Sequence, residues 1–358
     1  SADPLSITLQ LISLYIILIL VFTILYLFLA AKPLQKEYQF IPQWKISTLN
    51  PVINTNTDKE KIFFHLGQNA GYFTKDGEIT YQTTFPLNIT ISDSNFATYS
   101  AEAINLPLYN NDGKEIGKIE PQGFPFFSKD NLYVFLPGGC SLAKCNKDGS
   151  LSWSYKGTVP ITAFTSTNDF CAVGYADGII KLFDNTDGNC ILEYFPGGSD
   201  YPIILGIGIS SDGKYIASIS GHNKQRFVVT EKVENQPKII YHSFINKEIF
   251  TRVLVSFSKD NQNIYFNYGD RLGIYNLNKN KEYSIETTNQ IISLEESNGL
   301  IYALDKNQNK YTLYIIENTN TLIGHFSFEA DKAFIRAKDE YLYIGKDNHI
   351  SQLLVTKQ

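Results

Sequence analysis

Two patterns of apolar and polar positions divide this chain. From Leu5 to Ala31 no residue is charged, and Leu, Ile, Phe and Val fill most positions. A helix rises about 1.5 Å per residue, so the stretch is long enough to cross a hydrocarbon core of about 30 Å with some tilt. Beyond it the pattern changes to short alternating runs rich in Tyr, Phe, Ile and Val, the residues that suit strands. Asp-Gly pairs punctuate these runs at 76–77, 112–113, 148–149, 177–178, 187–188 and 212–213. Each is a hairpin signal, expected as a type I′ turn with positive φ at both central residues. No segment after Pro33 carries a convincing amphipathic helix of ten or more residues.

The strand units recur roughly every 40 residues, the spacing of a β-propeller. Counting each unit by its apolar second strand gives 63–66, 96–99, 132–135, 170–173, 215–218, 264–267, 300–303 and 341–344. The fold class is therefore all-β, a propeller of about eight four-stranded blades preceded by one transmembrane helix. Seven blades is the alternative if the first and last copies are incomplete. The last unit, 333–357, has only three strands, and a segment within 38–49 is expected to complete it. That would close the ring without open sheet edges. The organisation is a tail over 1–4, a transmembrane helix over 5–31, a linker over 32–59 that contributes a closing strand, and the propeller over 60–358.

Details of the apolar stretch bear on its role. A cleaved signal peptide has a basic start and a shorter apolar core. Here Asp3 is the only charged side chain before the stretch, and Pro4 and Pro33 bracket it. An uncleaved anchor is expected. Ser6, Gln10 and Ser13 share one helix face and form a candidate contact with another membrane helix, since a buried Gln needs a hydrogen-bond partner. A Gln10 wetted by headgroups is the plainer reading. Lys32, Lys36 and Lys45 follow the helix, which by charge counting alone favours a cytoplasmic domain. Anchored bacterial propellers commonly lie on the outer side of the inner membrane. The expected location is the inner (cytoplasmic) membrane, with an extracytoplasmic, periplasmic propeller. In the linker, Tyr38, Phe40 and Trp44 are either interfacial aromatics or part of the closing strand.

Composition narrows the function. With 43% hydrophobic and 14% aromatic residues and only 19% charged, the chain is folded and not disordered. The net charge is −5, and the arginines, Arg226, Arg252, Arg271 and Arg336, are scattered. Nothing forms the basic stripe that phosphate backbones require, so nucleic acid is not expected as a partner. Cys140 and Cys145, placed on one strand at odd offset, face opposite ways; with Cys171 and Cys190 they are expected as free thiols.

Residues 148–153 (DGSLSW), followed by 158–161 (TVPI), resemble the outer strand and crossover of PQQ-like, quinoprotein-type repeats. Residues 76–81 (DGEITY) repeat the frame without Trp, and 177–184 (DGIIKLFD) are similar to a WD40-like strand. The resemblance to this WD40-like/PQQ-like superfamily spans 60–358. It implies an eight- or seven-bladed propeller. The docking tryptophans of PQQ-like blades are expected to be missing apart from Trp153.

The sequence offers no catalytic, cofactor-binding or metal-binding residue to nominate. The five histidines have no ligand spacing, and Asp184–Asn189 reads as a turn, since Gly188 falls where a calcium loop needs an oxygen. No serine-hydrolase elbow, P-loop or Rossmann fingerprint occurs. No enzyme activity and no cofactor are expected. The expected function is a membrane-anchored, non-catalytic interaction scaffold or accessory subunit, with the bilayer and an integral membrane protein as partners. The candidate interaction loops are Pro137-Gly138-Gly139 and Pro196-Gly197-Gly198, expected at similar places in neighbouring blades. Two alternatives stand. One is an envelope assembly factor resembling the propeller scaffold of outer-membrane protein insertion. The other is a small-ligand-binding or quinone-dependent enzyme using the propeller channel.

Overall fold

The alternating runs fold into eight small antiparallel sheets, the blades of a β-propeller. The computed structural model describes residues 4–30, 37–55, 57–100, 104–197, 199–317 and 320–357, with side chains of the first helix given over 13–26. The chain divides into two compact units, Ser1–Ile41 with Leu354–Gln358, and Pro42–Leu353.

The first unit holds helix α1, Pro4–Ala30, whose 27 residues extend about 40 Å. Every described side chain from Ser13 to Tyr26 is exposed. Thr23 returns its hydroxyl to the Ile19 carbonyl at 2.7 Å, which satisfies the one described threonine of the helix internally. Among the described residues, no helix is long and apolar enough to cross a membrane. Ser13 is exposed, while the side chains of Ser6 and Gln10 lie outside the described set. In the same unit the Lys357 ammonium sits 4.8 Å above the Tyr38 ring.

In the second unit, blades 2 to 7 occupy 88–119, 124–155, 161–194, 204–244, 255–286 and 291–329, four strands each. Blade 8 takes Ala333–Lys338, Tyr341–Lys346 and His349–Lys357 from the C-terminal end and Tyr38–Ser47 as its outer strand. The count is eight, and the segment expected as linker supplies the closing strand. Tyr38, Phe40 and Trp44 all lie on it.

Blade 1 departs from four strands: Lys61–Leu66, Asn69–Thr74 and Ile79–Thr84 form a three-stranded sheet. Two contacts identify which strand it lacks. Trp153, on the outer strand of blade 3, lies against Gly188 in the last turn of blade 4, where a Cβ would come within 2.6 Å of the ring. Tyr81 of blade 1 packs in the same way on Gly113 of blade 2, and Trp44 of blade 8 on Gly77 of blade 1. Ile79–Thr84 is therefore the outer strand, and among the described residues blade 1 has no inner strand. The exposed edge is capped instead. The Phe63 N–H donates to Asp93 Oδ1 at 3.0 Å. Arg336, from the inner strand of blade 8, reaches the same carboxylate at 2.9 Å and lies 4.2 Å over the Phe63 ring. Glu295 lies 3.9 Å from the Arg336 Nε, and burial raises its pKa despite that neighbour.

The core is a series of apolar layers between successive blades. Leu132, Val134 and Ala143 of blade 3 pack on Ala97, Leu106 and Leu108 of blade 2. Phe227 and Val229 of blade 5 pack on Ile264 and Phe266 of blade 6. Alternation thus serves both faces of each blade, which is why the strands read as nearly continuous apolar runs.

Local chemistry corrects several expectations. At the Asp-Gly turns only the glycine is left-handed. These are type I turns closed by a left-handed Gly, not type I′. Two-residue turns with both φ positive occur instead at Glu234-Asn235 and Asn298-Gly299. The first joins the two long strands Arg226–Val233 and Gln236–Phe244. All four cysteines are free, and Cys140 precedes the strand Leu142–Cys145 instead of sharing it.

Candidate interaction face

In four-stranded antiparallel blades, the crossovers between blades and the second-to-third turns emerge on one face. The other two turns of each blade emerge on the opposite face. Pro137-Gly138-Gly139 is the second-to-third turn of blade 3, whereas Pro196 and Gly197 lie on the crossover from blade 4 to blade 5. They are not equivalent positions in neighbouring blades, but they do share the crossover face. Gly198 lies outside the described residues. Gly138 and Gly139 have open space where side chains would be, and the Gly139 carbonyl accepts from the Ile161 N–H at 2.9 Å.

The exposed aromatic residues of this face gather on blades 4 to 6. Tyr201 and Phe250 are 61% and 69% exposed. His222 sits between them, its ring centroid 6.0 Å from Tyr201 and 5.7 Å from Phe250. Phe195, also half exposed, lies on the crossover that carries Tyr201. The three rings come from two crossovers and one turn, with 20 or more residues between them.

Buried polar groups hold these loops in place. Gln225, only 1% exposed, donates to the Gly221 carbonyl at 2.9 Å and accepts the Ile249 N–H at 2.6 Å. It thereby ties the His222 turn to the Phe250 crossover. Arg226 donates to the carbonyls of Pro196 and Gly197 at 3.0 and 2.6 Å. The His222 N–H donates to the Tyr201 carbonyl at 2.8 Å, and Ser199 Oγ to the Asn223 carbonyl at 2.9 Å. Asn223 and Lys224 are both left-handed, the backbone cost of turning His222 outward. The rings are displayed on a frame that is already ordered.

On the same face, the inner ends of blades 4 to 7 line an open pocket of about 510 Å³, bordered in part by Phe164, Ile207, Arg252 and Gln290. Arg252 Nη2 donates to the Phe164 carbonyl at 3.0 Å, and desolvation by these walls lowers its pKa.

Candidate chemistry elsewhere resolves into structural roles. Asp184 and Asp187 accept the N–H groups of Thr186 and Asn189 and so shape their own turn. His65 bonds the Gly67 carbonyl. Cys145 and Cys171 are buried, and burial pushes the Cys145 thiol up to about 12. Among the described residues no group of three His, Cys, Asp or Glu side chains could hold a metal ion.

Of the residues singled out in the sequence, Pro196 and Gly197 join the aromatic face, and Pro137–Gly139 lies on the same side two blades away. Trp44 proves structural: its Nε1 donates to the Lys75 carbonyl at 2.9 Å, and its ring packs 6.0 Å from Tyr343 and 6.1 Å from Phe73. It docks blade 8 onto blade 1 much as Trp153 docks blade 3 onto blade 4, with Nε1 3.0 Å from the Asn185 carbonyl. A second docking tryptophan is therefore present. Tyr201, His222 and Phe250 escaped sequence reasoning because no local pattern marks them.

A family profile described as "beta-propeller protein" matches residues 10–357. A protein of Treponema pallidum (strain Nichols), described as uncharacterized, is 23% identical over 344 residues, covering 93% of this chain and 91% of that protein. Among solved structures, BamB from Moraxella catarrhalis superposes with a TM-score of 0.61 at 12% identity, covering 88% of this chain and all of that one (100%). The computationally designed Ika8 protein gives 0.59 at 13% identity, covering 85% and 99%. At these identities the likeness to both structures is one of fold.

Proposed function

The chain belongs to the β-propeller protein family, and we propose that it is a non-catalytic interaction module tethered to a membrane by α1, acting as an accessory subunit of a larger membrane complex. One observation carries this reading: the ordered row of Tyr201, His222 and Phe250 on the crossover face. Large aromatic rings bring much apolar area to an interface for few rotatable bonds. Loops braced by Gln225 and Arg226 have little freedom left to lose on binding. The charge-free apolar helix gives the tether, with the bilayer and an integral membrane protein as partners. Ser6, Gln10 and Ser13 form its proposed helix-contact face, and the inner membrane, with the propeller on the extracytoplasmic side, is the proposed location.

Gentle detergent extraction of the native protein, followed by mass spectrometry, tests the proposal. We expect a stoichiometric membrane protein to co-purify with the wild type and to be lost from a Tyr201→Ala/Phe250→Ala variant that melts normally. A wild-type monomer would overturn it. A second reading, an envelope assembly factor, draws on the fold shared with BamB. It requires the co-purifying species to be substoichiometric envelope proteins instead of one fixed partner.

A further inference from the structure

Where an outer-strand aromatic docks on the next blade, the seam between blades is filled: by Trp44 from blade 8 to blade 1, and by Trp153 from blade 3 to blade 4. The outer strand of blade 7, Thr321–Glu329, carries Phe326 and Phe328 but no tryptophan. Its seam with blade 8 holds a cavity of about 340 Å³. This is near the lower end of the 300–1,000 Å³ range of ligand pockets. Phe326, Phe328, Ile344 and Leu353 give it apolar walls, and Lys45, Lys346 and His349 stand around it.

The charges around this cavity are unbalanced. Among the described residues, no carboxylate pairs with either lysine. Asp347, the acidic residue of the lining, points its Oδ1 at the N–H groups of Asp331 and Lys332, at 2.8 and 3.3 Å. The Lys346 ammonium sits 5.9 Å from the centre of the Phe328 ring, at the margin of cation–π range. Apolar walls beneath unpaired ammonium groups suit one class of molecule, a chain with an anionic head.

We propose that the seam between blades 7 and 8 binds a straight-chain carboxylate, the hydrocarbon lying against Phe328, Ile344 and Leu353 and the carboxylate meeting Lys45 and Lys346. The site is independent of the aromatic face, which lies on other blades, and the two readings can fail separately.

The test uses the full chain in lipid nanodiscs and a diazirine-bearing dodecanoate, with crosslinks mapped by mass spectrometry. Labelling is expected at 326–328 and 344–353. Dodecanoate in excess should compete it away, and dodecylammonium should not. Lys45→Gln/Lys346→Gln should reduce it at least fivefold with an unchanged melting temperature. Ser351→Phe, which places a ring in the cavity, should abolish it and leaves the lysines intact. Absent labelling of the seam, equal competition by the ammonium amphiphile, or undiminished labelling of the double lysine variant would each overturn the proposal.

Discussion

Two seams of the propeller meet at blade 8 and are closed differently. Toward blade 1 the seam contains the Trp44 ring, the Phe73 and Tyr343 rings, and a tryptophan hydrogen bond to the Lys75 carbonyl. Toward blade 7 it contains a cavity walled by two phenylalanines. The ring is joined inside blade 8, where Tyr38–Ser47 pairs with His349–Lys357 from the other end of the chain, and the first seam faces blade 1, which among the described residues lacks an inner strand. The difference shows that the seams are not packed alike: an indole docked on the next blade fills one, and a pair of phenylalanines leaves the other partly open.

Four changes test this comparison. The largest effect is expected from Trp44→Ala, which should lower the unfolding free energy by about 3 kcal/mol in urea titration, as a large aromatic loses its layer. An unchanged midpoint would mean that the closing strand holds without its docking ring. Next is Asp93→Ala, which strips the cap from the Phe63 N–H and the bonded carboxylate from Arg336. A loss of about 2 kcal/mol is expected, with Asp93→Asn losing less because its amide oxygen still accepts the N–H. At the other seam, Ser351→Phe should move stability by no more than about 1 kcal/mol in either direction. A loss comparable to that of Trp44→Ala would show that this seam is as tightly packed as the first. The smallest effect concerns pH. Burial raises the Glu295 pKa in the folded protein above its unfolded value near 4.5. Its protonated form therefore favours folding, and stability from this group falls as pH rises through that window. Glu295→Gln should flatten that part of the stability profile; a profile identical to wild type would remove Glu295 from the ring-closing cluster.

Much of the fold was legible in local patterns. The eight apolar second strands, the Asp-Gly turns and the incomplete last unit pointed to eight blades closed by the 38–49 segment. That works because a blade is a local hairpin structure whose side-chain period is visible along the chain. The turn type was not legible, since Asp-Gly suits both a type I′ turn and a type I turn closed by a left-handed glycine. The choice depends on how many residues join the two strands. Trp44 was ambiguous for a different reason. No repeat frame surrounds it, and its role exists only because strand Tyr38–Ser47 pairs with the last strand of the chain.

The candidate face was the least legible part. Pro196 and Gly197 could be picked out as turn chemistry, but Tyr201, His222 and Phe250 carry no shared motif. They meet because Gln225 and Arg226 tie together loops of successive blades.

By itself the sequence determined the repeat, the blade count and the apolar N-terminal helix, because each follows from periodicity over a few neighbouring residues. Tertiary structure alone decided that blade 1 lacks its inner strand, that Asp93 and Arg336 cap the exposed edge, and that one seam is filled and another open. Those are contacts between residues far apart in the chain, 243 positions for Asp93 and Arg336 and 299 for Trp44 and Tyr343. No local pattern encodes a distance in space between segments so remote in the chain.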